Sequence, residues 1–185
     1  MPEIRYYRDP LAPDQEVLTD HEWVDTDAYR QLVQRTVISC TDVVLTLVGD
    51  PNAIYLAKRC VFPQKGIWCF GGRLFFNDGT LPHSSARCLN TEAAVPINPD
   101  RFVWTKNPHL YSWVKTAQGD FGGKNLVLIF RLEVTPYELG QIARGLSPKE
   151  YDRVFGIQRF TRERLVDEKV HKAMHDAFND IWGAA

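Results

Sequence analysis

The stretch from Gly71 to Glu92 holds residue types that phosphate chemistry needs. A glycine pair such as Gly71-Gly72 lets the backbone approach a phosphate closely. A helix beyond it, carrying Arg87 and Glu92, can present acids at i, i+3 and i+4 on one face. Such a face suits Mg²⁺, which takes carboxylate and phosphate oxygens. The same residues also have plainer readings. The glycines could form a tight turn, Arg87 could be a solvated or ion-paired surface residue, and Glu92 could be a lone helix acid. His171 and His175 stand at i and i+4, but no Glu follows His171, so a solvated helix face is the better reading. Trp68 and Trp104 read as core or pocket wall.

The elements that must position these residues can be read along the chain. Residues 1–24, rich in Pro, Asp and Glu, read as an arm, and residues 25–185 as one domain. Asp25-Thr26-Asp27 offers N-caps for a short helix with Tyr29, Leu32 and Val33 on one side. A strand over 37–47, a turn at Gly49–Asn52 and a strand over 53–57 make a hairpin. Residues 60–68 read as a loop, 73–76 as a strand, and 83–93 as a helix capped by Ser84 or Ser85 and ended by Pro96. Further strands are expected at 102–105, 111–115 and 126–134, the last apolar enough to be buried on both faces. A short helix is expected at 136–144, a strand at 154–160 and one long amphipathic helix over 162–182.

The 185 residues suffice for one domain with a sizeable core. A hydrophobic share of 44% and a charged share of 24% are ordinary globular values. The formal net charge of −1 argues against nucleic-acid or membrane partners. No apolar run reaches the roughly 20 residues needed to span a bilayer, and the first residues lack a signal-peptide core, so a cytoplasmic location is expected. Cys40, Cys60, Cys69 and Cys88 contain no C-x-x-C pair, and Cys40 and Cys60 read as buried free thiols.

The stretch resembles the Nudix box, Gly-x5-Glu-x7-Arg-Glu-U-x-Glu-Glu-x-Gly-U, with U a bulky aliphatic. Gly72 matches the opening glycine, Asp78 falls at the first Glu, and Arg87 matches the Arg after one extra residue. Leu89 and Val95 match aliphatic positions, and Glu92 matches the second Glu of the pair. Cys88, Thr91 and Ala94 depart from the box. Residues 25–180 resemble the GDP-mannose mannosyl hydrolase branch. The likeness runs through the segment from Asp27 to Thr36, Val37–Asp42, Leu56–Arg59, Pro63, Gly66, Trp68, Gly71–Leu74, His109–Tyr111 and Leu126–Leu132. That branch carries a late Gln-His pair, and the corresponding residues 147–158 contain no His.

The resemblance implies an α/β domain of mixed α+β type, the Nudix fold, with a mixed β-sheet sandwiched between helices. It implies catalytic Arg59 and Arg73 on a departing diphosphate, with Glu150 or Asp152 as substitute base. It implies substrate binding by Asp42, Arg59, Arg73, His109 and Tyr111, and Mg²⁺ on the Gly72 carbonyl and Glu92. Arg87 would pair with a box acid and support the loop. The expected function is hydrolysis of a nucleoside diphosphate sugar or related nucleoside diphosphate compound. The alternative is a catalytically inactive nucleotide-binding or regulatory protein. The acidic arm and long C-terminal helix would also suit a homodimer.

Overall fold

The computed structural model describes residues 26–62, 64–113 and 123–183. The arm expected at 1–24 lies outside the described residues. The elements are α1 (Thr26–Arg35), β1 (Val37–Leu47), β2 (Asp50–Arg59), β3 (Gly66–Trp68), β4 (Phe70–Arg73), α2 (Leu81–Ala93), β5 (Val103–Trp113), β6 (Gly123–Val134), α3 (Pro136–Gly145), β7 (Ile157–Phe160), α4 (Arg162–Asp167) and α5 (Lys172–Trp182).

One sheet takes the order β3-β2-β1-β6-β5, with β4 added on β1 and β7 on β2. β1 and β6 run parallel from Val37↔Lys124 to Leu47↔Val134, and the other pairings are antiparallel. The second edge of β1 is shared. Its start pairs with β4, Cys40↔Arg73 to Val43↔Phe70, and its end pairs with β2 at Leu45↔Tyr55 and Leu47↔Asp50. This fork brings the β4 glycines and Asp42 together, with the end of β2 nearby.

Helices cover both faces, as a strand such as β1, buried from Cys40 to Thr46, requires. Alternation sends Val43 and Leu45 toward Leu89 of α2 and Ile142 of α3. Cys40 and Val44 turn to the opposite core, with Leu165, Met174 and Phe178. The mixed sheet sandwiched between helices is therefore as expected.

Several elements differ from the expectation. α2 begins earlier and is capped by Thr80, whose hydroxyl accepts from the His83 backbone N–H, while Ser84 and Ser85 are buried within the helix. It ends where Ala94 turns left-handed at φ 52°. The β4 strand is Phe70–Arg73 and contains the glycines, whereas the strand expected at 73–76 gives way to a 3-10 turn, Phe76–Asp78. β3 forms inside the expected loop. The two strands expected at 102–105 and 111–115 are one edge strand, β5, with its register broken between Trp104 and Pro108. Pro108 lacks a donor, and an edge strand tolerates that. The long C-terminal helix is two, because Lys169 adopts φ 51° and His171 starts a new helix as its N-cap. The last strand begins only at Ile157, and Val154 is fully exposed. Cys60 is exposed at the end of β2, while the other three cysteines are buried.

Candidate functional site

The first half of the site is a clamp on the loop before α2. Arg87 Nε donates to Asp78 Oδ1 at 2.5 Å, and Arg87 Nη2 donates to Asp78 Oδ2 at 2.9 Å and to the Arg73 carbonyl at 2.7 Å. Asp78 Oδ2 also accepts from the Phe75 N–H at 2.7 Å, which closes the 3-10 turn. The guanidinium lies 4.0 Å from the centre of the Phe75 ring. Burial would raise the Asp78 carboxyl, but the Arg87, Phe75 and Ser84 hydrogen bonds outweigh it and hold the acid low. The arginine expected to pair with a box acid does so.

The second half lies one helical turn and more along α2. Glu92 is 5% exposed. Its Oε2 accepts from the Gly71 N–H at 3.0 Å and from the Tyr151 hydroxyl at 2.9 Å. Burial pushes this carboxyl up to about 8, against the pull of Arg59. Gly71 can be nothing larger. It sits at φ 155°, and a Cβ there would stand 2.2 Å from Asp42 Oδ1.

Arg59 ends β2 beside these acids. Its Nη2 meets Glu150 Oε2 at 3.2 Å. Burial opposes its charge, while Tyr151, Glu92, Glu150 and Asp42 favour it, and the balance leaves the guanidinium more firmly protonated than usual. Its Nε is buried without a hydrogen-bond partner among the described residues.

Asp42 joins this cluster to a second region. It is 7% exposed and accepts from the Cys69 thiol at 3.6 Å. Burial pushes it up to about 7, with Arg59 and the Cys69 hydrogen bond pulling the other way. On the far side Tyr111 feels the same charge. Burial and Asp42 together drive its phenol well above the ordinary range. Trp68 packs edge-on against Tyr111 at 5.7 Å, Trp113 at 5.9 Å and His171 at 5.5 Å. Beside this aromatic group a cavity of about 500 Å³ opens between β5 and α5, lined by His109, Tyr111, His171, Asp176 and Asp180 among others. His109 Nε2 lies 3.2 Å from Asp180 Oδ2, and Asn107 Nδ2 donates to Asp180 Oδ1 at 2.6 Å.

The structure thus gathers Asp42, Arg59, Gly72 and Glu92 near one another, with the backbone of Arg73 in the clamp. His109 and Tyr111 line the neighbouring cavity. Asp152 turns elsewhere: its carboxylate meets Lys58 at 3.3 Å and accepts from the N–H groups of Val154 and Phe155. Those hydrogen bonds hold it below the usual carboxylate range. Tyr151 and Asp180 were not legible as site residues. Each reaches its partner across 59 or more residues of chain, and no local pattern marks them. His171 and His175 do not act as a pair. His171 Nδ1 accepts from the Ala173 N–H, and His175 Nε2 lies 3.2 Å from the Val170 carbonyl.

The box resemblance implies a divalent ion on the α2 face, and the residues present do not fit one. Glu92 is its only acid, its Oε2 is occupied, and burial favours its protonated form. Cys88 is a thiol pushed up to about 12 chiefly by burial, and Thr91 donates its hydroxyl to the Arg87 carbonyl. Mg²⁺ takes hard oxygen ligands, usually one or two ionised carboxylates together with phosphates and waters. Among the described residues no three of His, Cys, Asp and Glu are grouped to hold a metal. No described helix is long and apolar enough to cross a membrane.

No family model matches the chain, and no curated protein matches it significantly. Solved structures do. A MutT/Nudix family protein from Listeria innocua superposes at a TM-score of 0.51 with 19% identity, over 80% of this chain and 93% of that one. The Ap4A hydrolase of C. elegans gives 0.48 with 8% identity, over 79% and 96%. The Nudix domain of Shewanella oneidensis NrtR, complexed with ADP ribose, gives 0.49 with 13% identity, over 77% and 90%. The Listeria likeness, together with the forked mixed sheet between two helical layers, identifies the architecture: this chain has the Nudix fold.

Proposed function

We propose that the chain binds a nucleoside diphosphate compound across the join between Glu92 and Asp42 and the aromatic cavity, without a divalent ion of its own. The observation that carries this is Arg59, a largely buried guanidinium whose Nε has no hydrogen-bond partner among the described residues. A buried donor left unmade costs about 1–3 kcal/mol. Phosphate oxygens are the acceptors that a guanidinium fork fits best. Gly71-Gly72 and Arg73 stand beside it for the same anion. The aromatic wall at Tyr111 suits the flat face of a base. His109 and Asp42 would meet the base or sugar.

Calorimetry with GDP, ADP, UDP and their sugar conjugates tests this. Binding should survive a chelator and weaken by about tenfold or more in Arg59→Gln, the loss of one charge-assisted contact. Binding that disappears on chelation would overturn the proposal.

The intact Asp78–Arg87 clamp favours a second reading, because it keeps the box loop in shape. That reading is hydrolysis of a nucleoside diphosphate sugar in the manner of the mannosyl hydrolases. Arg59 and Arg73 would stabilise the leaving diphosphate, and Asp152 would serve as base after releasing Lys58 and the Val154 and Phe155 N–H groups. Mg²⁺ on Gly72 and Glu92 would need Tyr151 and Gly71 to release the carboxylate. Free sugar released from a nucleotide-sugar panel with Mg²⁺, and lost in a folded Glu92→Gln, would establish it. A cytoplasmic location and a homodimer belong to the same proposal, and sedimentation measures the second.

A further inference from the structure

We infer that Glu150 holds the phosphate position on Arg59 before ligand binds, as a tethered anion that a ligand phosphate must displace. The inference rests on the binding reading above and adds to it a competitor built into the chain.

The contact leaves half of the guanidinium edge unused. Nε and Nη2 of an arginine lie along one edge and can hold two oxygens side by side. Two other arginines of this chain have that edge filled. Arg87 Nε and Nη2 each donate to one oxygen of Asp78, and Arg159 Nε and Nη2 each donate to one oxygen of Asp50. On Arg59 only Nη2 is taken, by Glu150 Oε2 at 3.2 Å. Its Nε is buried with no hydrogen-bond partner among the described residues. A phosphate group brings three oxygens and can fill both positions.

The two partners are also unequally placed. The Arg59 side chain is 16% exposed and that of Glu150 is 33% exposed. The carboxylate can therefore turn toward water while the guanidinium stays. The backbone of Glu150 is held. Its N–H donates to the Ser147 carbonyl at 3.1 Å, and its carbonyl accepts from the Cys60 N–H at 2.7 Å. Tyr151, the next residue, bridges to Arg59 in antiparallel fashion. Only the side chain is left to move, so the displaced acid stays beside the site at high effective concentration. It competes with any anion at Arg59 and leaves the uncharged part of a ligand, seated in the aromatic cavity, untouched.

Calorimetry with GDP, ADP and UDP and with their nucleosides tests the inference on the wild type, Glu150→Gln and Glu150→Asp. Gln keeps the size and removes the charge. Asp keeps the charge, but the held backbone withdraws it from Arg59 by one carbon. Glu150→Gln should bind the nucleoside diphosphate about tenfold more tightly, the scale of one charge-assisted contact that no longer has to be broken. Glu150→Asp should show most of that gain, and nucleoside binding should stay as in the wild type. Glu150→Gln combined with Arg59→Gln should bind no better than Arg59→Gln alone. The inference is overturned if Glu150→Gln gains nothing or binds more weakly. It is equally overturned if Gln gains and Asp does not, which would be repulsion without contact, or if nucleosides gain as much as diphosphates. Should Arg59→Gln fail to fold, the two Glu150 variants decide between them. Binding that weakens in Arg59→Gln without tightening in Glu150→Gln would leave the binding reading standing and remove this inference. Binding seen only in the Glu150 variants would do the reverse, and no binding in any of the proteins would remove both.

Discussion

The two ends of α2 have fared differently. At the turn before its start, Arg87 reaches back from mid-helix to hold Asp78 and the Arg73 carbonyl in a bidentate clamp. Near its end, Glu92 is taken up by Gly71, Tyr151 and the field of Arg59. The first arrangement shapes the loop and needs only one acid and one arginine. The second would need several acids facing one point, and Cys88 and Thr91 do not supply them. Loop architecture and ion chemistry are therefore separable within one motif.

The comparison can be broken most severely at the C-terminal end. Gly145 of α3 lies so close to α2 that a Cβ there would stand 1.8 Å from the Ala93 carbonyl oxygen. Gly145→Ala should cost about 3 kcal/mol or more, because neither backbone can keep its place. Urea unfolding measures this, and a wild-type midpoint would show that the two helices are not rigidly apposed. At the other end, Arg87→Ala strands Asp78, whose side chain is 4% exposed. A loss of about 3 kcal/mol is expected, as when one partner of a buried pair is removed. Arg87→Lys should recover only part of it, since an ammonium cannot span both Asp78 oxygens and the Arg73 carbonyl. A smaller loss, about 1–2 kcal/mol, is expected in Tyr151→Phe, which removes one hydrogen bond to a buried acid. If Tyr151→Phe cost more than Arg87→Ala, the clamp would not be the stronger of the two ends.

The gentlest effect is a slope with pH. Glu92 rises from 4.5 to about 8 on folding, and Asp42 from 3.8 to about 7. Both acids hold a proton more tightly in the folded chain than in the unfolded one. Stability from this source is complete below the lower values and declines as pH rises through the window to about 8. Thermal midpoints should fall across that window in the wild type and less in Glu92→Gln. An unchanged slope in Glu92→Gln combined with Asp42→Asn would place the titrating groups elsewhere.

By itself the sequence determined the alternation of helices and strands and the glycine pair before a box-like helix, whereas β6, expected to be buried on both faces, is only half-buried, with Leu126 39% exposed. Through the family resemblance it also marked Arg87 as the partner of a box acid, which the structure shows to be Asp78. The first two follow from periodicity and turn signals, and the Asp78–Arg87 contact spans only nine positions along the chain. Where local signals competed, the fold decided. Gly71 and Gly72 lie inside a strand because β4 pairs along β1, and the C-terminal helix breaks because Lys169 turns left-handed. Only the tertiary structure decided what Glu92 does. Tyr151 reaches it across 59 residues, and Arg59 arrives from another strand. A carboxylate's role depends on which groups surround it once water is excluded, and that neighbourhood is assembled by the fold.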